Sequence, residues 1–209
     1  MGTSEALKQC CIGGVTYQLV TPSAHFESSY HEYIVELGNE ERYPFVLDFD
    51  ATDFQAYLAR VEDFRQGVNL PDGYVASTTY WLVCGNTLLG VANLRQYLNT
   101  VIAHVGGHVG VGIRPSCRRK GLSHLLLKWV CEIASEQGIG EPVSGSDSAK
   151  ATQPHHQQSN STKHLHVHCY TSNTASKRMI KSVGGVLHST VLVNSKQGST
   201  SVSRFIIGI

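Results

Sequence analysis

The 209-residue sequence contains no apolar run of the roughly 18 residues that a membrane-crossing helix needs. Excess charge is missing too: 17 basic and 16 acidic residues leave a net charge of +1. No broad field is therefore available to hold nucleic acid or an anionic membrane, and neither is expected as a partner. The six cysteines show no CxxC pairing, and no secretory signal precedes them. They read as reduced thiols of a cytoplasmic protein, with no metal expected. Two phosphate-binding signatures are absent. There is no GxxxxGK followed by Ser or Thr, which argues against a P-loop nucleotidase. There is no GxGxxG between strand and helix, which argues against a Rossmann dinucleotide site.

What remains is an ordinary globular composition, 41% apolar and 16% charged, in a chain long enough for one well-buried domain. A single domain over 1–209 is expected, with residues 1–14 as a flexible leader. Val15–Val20 reads as a first strand. Helical candidates follow at Ser28–Leu37 and Asp53–Gln66; in the second, Phe54, Tyr57, Leu58, Val61 and Phe64 recur at helical spacing behind Thr52 as a possible N-cap. The period then changes to two β-rich runs joined at Cys84-Gly85-Asn86, a hairpin signal, and His108–Pro115 gives a third strand of that group. Residues 140–163 are polar, rich in Ser, Gln and Pro, and without period, and read as a disordered insertion. His164–Tyr170, a short helix near Thr174–Val183 and two closing strands complete a mixed α/β order with no internal repeat.

The segment GIRPSCRRKGLSHLLLKWV, Gly112–Val130, carries the strongest chemical signal. Leu122, Leu125, Leu126, Trp129 and Ile133 form one apolar stripe, so this helix packs on the sheet. Its first turn is RRKGLS. Free N–H groups and the positive dipole end point at whatever lies above that turn. Gly121 removes a side chain where an anion could approach, and Arg118, Arg119 and Lys120 add charge. Such a start wants phosphate, most economically a pyrophosphate; a solvated basic helix start is the plain alternative. The strand before it, GGHVGVGIRP, is rich in glycine, which marks a bulge or the close approach of another chain segment. If regular, it puts His108, Gly110 and Gly112 on one face, and an extended ligand could lie along its backbone.

These residues resemble the GNAT N-acetyltransferase family. Arg118-Arg119-Lys120-Gly121-Leu122-Ser123 is similar to the family's pyrophosphate loop, with Ser123 departing from the usual Gly or Ala at its last place. SNTASKRMIKSVGG, Ser172–Gly185, resembles the second coenzyme A motif. LPDGYVASTTYWLV, LLGVANLRQYLN and GGHVGVGIRPSCRRKG resemble an uncharacterised bacterial-type subgroup. The resemblance implies a mixed α+β, GNAT-like fold: a mostly antiparallel twisted sheet splayed between its fourth and fifth strands and flanked by helices. It also implies acetyl-CoA as co-substrate. The backbone of Val111, Gly112 and Ile113 would meet the pantetheine arm. The RRKGLS residues Arg118, Arg119, Lys120, Gly121, Leu122 and Ser123 would hold the pyrophosphate, and Asn173 would touch the arm.

The implied activity is direct acetyl transfer to a primary amine. A base must take the ammonium proton. His108 is the first candidate, because it stands beside the glycines and titrates near neutrality; Tyr97, Tyr80 and Glu41 follow, and a structural histidine is the plain alternative. Many members carry a Tyr seven residues after the Asn, and here that place is Ile180. Either Tyr170 or water substitutes, or the thiolate leaves unaided, or the chain is a catalytically weak acyl-CoA-binding or regulatory module. His164, His166 and His168 alternate on one strand face, which suggests a solvated or cleft-facing edge before a metal site. The acceptor, a small-molecule amine or a lysine or N-terminal amine, would meet roughly Ser28–Gly67. There Glu36, Glu40, Glu41, Asp48, Asp50 and Asp53 would suit a cation, or form a solvated acidic face. The oligomeric state is expected to be monomer or homodimer.

Overall fold

The computed structural model describes residues 5–142, 163–195 and 198–209. Their elements run β1 (Lys8–Ile12), β2 (Val15–Val20), α1 (Glu27–Leu37), α2 (Phe54–Gln66), β3 (Ser77–Cys84), β4 (Thr87–Arg95), α3 (Thr100–Val105), β5 (Val109–Ile113), α4 (Leu122–Glu136), β6 (Glu141–Pro142), β7 (Lys163–Tyr170), α5 (Thr174–Ser182), β8 (Val186–Ser195) and β9 (Gly198–Gly208). Short 3₁₀ turns lie at Ala24–Phe26, Phe45–Asp48 and Pro115–Cys117. The strands form a five-stranded sheet, β1-β2-β3-β4-β5, and a four-stranded sheet, β6-β7-β9-β8. Every ladder in both is antiparallel.

Strand β3 shows why the first sheet reads as nearly continuous apolar sequence. Tyr80 and Leu82 face one core cluster with α4, while Trp81 and Val83 face another with α1 and α2. Successive side chains of a strand point to opposite faces, and helices cover both. The α4 stripe buries Leu122, Leu126, Trp129, Val130 and Ile133, each fully buried aliphatic contributing about 1.5–3 kcal/mol. On the other face, α2 is started by Asp53, whose carboxylate accepts from the N–H groups of Gln55 and Ala56 at 3.0 Å. The cap is thus Asp53 and not Thr52, because two amides converge on a carboxylate.

Two boundaries depart from the sequence expectation. Lys8–Ile12, within the segment expected as a flexible leader, pairs in register with β2. The turn is Gly13-Gly14, both at positive φ, 57° and 80°, the backbone a tight hairpin needs. Lys8 adds a contact to α4, its Nζ 2.6 Å from Glu136 Oε1. The expected disordered insertion falls largely on residues 143–162, outside the described ones. Its described ends belong to the sheet, with Glu141 opposite His164 and Pro142 opposite Lys163.

The two sheets meet at one place. Gly107 bridges to Val167, and the His108 N–H donates to the His166 carbonyl at 2.6 Å. Beyond that bridge β5 and β7, the fourth and fifth strands anticipated from sequence, diverge. A cavity of about 730 Å³ fills the gap.

Candidate active site

The cavity is closed at one end by the β5–β7 bridge and opens at the start of α4. All the residues proposed for the coenzyme line it except Lys120: Val111, Gly112, Ile113, Arg118, Arg119, Gly121, Leu122, Ser123 and Asn173. Lys120 turns away and donates from Nζ to the Ser116 carbonyl at 3.0 Å. Gly121 is the N-cap of α4 at φ 77°, with no side chain capping the helix. A Cβ there would meet nothing within 4 Å, so the first-turn amides open onto free space. Arg119 also takes a left-handed backbone, φ 62°; for a non-glycine residue this costs roughly 1–2 kcal/mol. Successive amides in such a turn form an anion-binding concavity. Asn173 caps α5, its Oδ1 accepting from Ser176 N–H at 2.9 Å.

The three neighbouring cations do not face a common anion. Arg118 forks onto Glu40, with N–O distances of 3.1 and 2.7 Å, and its Nε donates to the Ile113 carbonyl at 3.0 Å. The hydrogen bonds from Arg118 hold the Glu40 carboxyl below its ordinary range. Next to them Arg114 reaches Glu36 Oε1 from Nε at 2.7 Å, Glu32 at 3.0 Å and Ser29 Oγ at 3.2 Å. Glu36 also accepts from Ser116 N–H at 3.1 Å. Helix α1 is thereby tied to the turn that carries RRKG.

The glycines of β5 answer to the close approach of another chain segment, one of the two causes anticipated. A Cβ at Gly112 would overlap the Tyr43 carbonyl oxygen, and one at Gly110 would lie 3.0 Å from Pro44 Cβ. The Tyr43–Pro44 segment crosses this face, so the missing side chains accommodate the protein's own chain there. The edge of β5 toward β7 is what the cavity exposes.

His108 does not reach the cavity. It is fully buried, its Nδ1 accepts from His166 N–H at 3.0 Å, and its Nε2 lies 3.8 Å from Glu141. Burial and then the neighbouring histidines push its pKa down to about 3, so it stays neutral and structural, and the base expected from sequence is not at the site. Tyr80 is buried and Tyr97 lies outside the cavity lining. Glu41 and Tyr170 do line it, with Tyr170 Oη donating to Glu41 at 3.3 Å. Burial, then Glu41, raises the Tyr170 pKa. Ile180 is 1% exposed and packs in the core. Of the alternating histidines, His164 and His168 are buried and not solvated, and His168 faces the cleft. Their rings and that of His166 meet edge to face, 5.0 and 5.6 Å apart.

The acidic segment is mostly committed to structure. Glu36 and Glu40 hold arginines, Asp53 caps α2, and Asp50 accepts from Thr52 N–H at 2.9 Å. Glu40 and Glu41 are the carboxylates that line the cavity.

Residues 34–152, more than half of the sequence, match the family described as Acetyltransferase (GNAT) family. The chain belongs to the GNAT acetyltransferases. No match is found among curated proteins. Solved GNAT structures share the fold at low identity. The ribosomal-protein alpha-N acetyltransferase RimL, in complex with coenzyme A, has a TM-score of 0.64 at 11% identity, covering 97% of this chain and 98% of that one. A ribosomal-protein alanine acetyltransferase from Vibrio fischeri gives 0.60 at 12%, covering 92% of each. The microcin self-immunity acetyltransferase MccE, with acetyl-CoA and AMP, gives 0.61 at 10%, again covering 92% of each. Among the described residues no helix is long and apolar enough to cross a membrane, and no group of three or more His, Cys, Asp or Glu is arranged to hold a metal.

Proposed function

We propose that the chain is one N-acetyltransferase domain that moves the acetyl group of acetyl-CoA directly to a primary amine, in the cytoplasm. The observation that carries this reading is the cavity between β5 and β7, with the uncapped start of α4 at its mouth. The residues present fit the co-substrate: Gly121 leaves space above the helix amides, Arg119 adds a cation, and the cleft admits an extended arm beside Val111–Ile113. Acetyl-CoA supplies an activated thioester acyl group.

Proton handling falls to Glu41 and Tyr170. The acceptor nitrogen must lose two protons. Glu41 takes the first and passes it to water, while the second replaces the proton that Tyr170 Oη gives to the leaving sulfur. Tyr170 then substitutes for the hydroxyl that Ile180 cannot provide. The buried Ile180 also favours a second reading, an acyl-CoA-binding module without turnover.

Calorimetric titration with acetyl-CoA, followed by an amine panel, tests both. Binding by the native chain, loss in Gly121→Glu and retention in Gly121→Ala are expected, the alanine separating backbone strain from charge. Binding with no amine turned over selects the module; no binding removes the acetyltransferase reading.

A further inference from the structure

Arg95, at the end of β4, differs from the other arginines around the cavity. Its guanidinium lines the cavity near the closed end and makes one hydrogen bond, from Nη1 to the Gly107 carbonyl at 2.8 Å. Its Cζ stands 5.6 Å from the centre of the Phe45 ring. Arg114 and Arg118 each hold carboxylates, but among the described residues no Asp or Glu forms an ion pair with Arg95. Guanidinium stays charged in proteins and offers five donors in a planar fork. A part-buried cation without a counter-anion carries a desolvation cost, and burial does lower its pKa.

Its surroundings do not supply the missing anion. His108 and His168 are neutral by burial, and Arg95 itself, with Arg204 beside His168, adds to the cost of charging them. Glu141, the carboxylate near His108, does not line the cavity. The phenol of Tyr43, 3.2 Å from where a Gly110 Cβ would stand, lies within the electrostatic reach of both Arg95 and Glu41. A cation with spare donors, a carboxylate and this phenol thus line the same cavity. Arg95 would repel a polycation, and an ordinary peptide N-terminus carries no adjacent carboxylate.

We propose that the acceptor is a small zwitterionic amine of the amino-acid type, its carboxylate held by Arg95 and its reacting nitrogen presented to Glu41. This rests on the acetyltransferase reading above.

The test measures initial rates of thiol release at saturating acetyl-CoA for free amino acids, each beside its carboxamide, with spermidine and an alanine-started tetrapeptide as further arms. In the native protein at least one free amino acid should exceed its carboxamide by about tenfold or more in kcat/KM, because the amide leaves the part-buried guanidinium without its anion. Arg95→Gln, which keeps a donor for Gly107, should collapse that ratio toward one through the amino-acid KM, with the KM for acetyl-CoA unchanged. Arg95→Lys, with the charge but no fork, should fall between. Equal rates for acid and amide, preference for spermidine or the peptide, or an unchanged ratio in Arg95→Gln would each overturn the proposal. If acetyl-CoA binds and no arm is acetylated, the proposal also fails. If acetyl-CoA does not bind at all, the acetyltransferase reading fails first and the proposal with it. Should Arg95→Gln not fold, the acid-to-amide ratio of the native protein decides alone.

Discussion

The two ends of the β5–β7 seam handle charge in opposite ways. At the open end, Arg114 and Arg118 are ionised and each is met by carboxylates from α1 or the loop after it. At the closed end, His108 and His168 are kept neutral by burial, with pKa values pushed down to about 3 and about 4. The exposed Arg118–Glu40 pair can exchange its partner at modest cost, since exposed ion pairs contribute little, whereas Arg114 is buried on its carboxylates. A buried neutral histidine has no such freedom, because charging it means desolvating an ion. The proposed coenzyme site thus has one exchangeable charge pair at its open end, while the closed end joins the two sheets.

Acid should break the closed end first. In the unfolded chain both histidines titrate near the ordinary 6.5. Above that pH they add no pH dependence, and as pH falls from about 6.5 toward 4 the unfolded state binds protons that the folded state refuses. By pH 5 this removes about 2 kcal/mol per histidine, about 4 in all. Urea unfolding at pH 7.5 and pH 5 measures it. A His108→Asn, His168→Asn double variant should flatten the slope, and an unchanged slope would show that the acid sensitivity lies elsewhere.

A smaller but still large effect is expected at the crossing of the Tyr43–Pro44 segment over β5. Gly112→Val drives a branched side chain into the Tyr43 carbonyl and should cost about 3 kcal/mol, the upper range for overpacking, seen as a lower urea midpoint. A neutral result would mean that the loop rides free of the strand. The smallest effect belongs to the open end. Glu40→Gln releases Arg118 from its fork and should tighten acetyl-CoA binding several-fold at low salt, about 1 kcal/mol, with the gain shrinking as salt rises. Weaker binding would instead make Glu40 a support for the turn.

Much of this arrangement is readable from sequence because it follows period and turn chemistry. The α4 stripe and the RRKGLS start are local; the structure packs the stripe in the core and brings Arg118, Arg119, Gly121, Leu122 and Ser123 to one cavity with Asn173 from far along the chain. Strand β1 was also readable, since Gly13-Gly14 between two β-like runs is a hairpin signal. Helix α3 is only six residues long and buries none of them, so it leaves no apolar period to find. Alternation places His164, His166 and His168 on one face, but not opposite His108, because that requires knowing which strands bridge. The same limit hides Arg95. Nothing local distinguishes an arginine that will face a carboxylate from one that will not, and the absence of an acidic partner for Arg95 among the described residues appears only in the assembled fold.

The loop after α1 joins matters that sequence keeps apart. Arg42 fastens it to the end of α1 through the Ile34 and Gly38 carbonyls, at 2.9 and 3.2 Å. Glu40 then meets Arg118, Glu41 meets Tyr170, and the Tyr43 phenol feels the charge of Arg95. From Glu40 to Tyr43 is three residue steps, about 10 Å of extended chain. For protein engineering this makes the segment from Gly38 to Pro44 a single exchangeable cassette. Changes inside it would reach the RRKG turn through Glu40 and the Tyr170 corner through Glu41 at once.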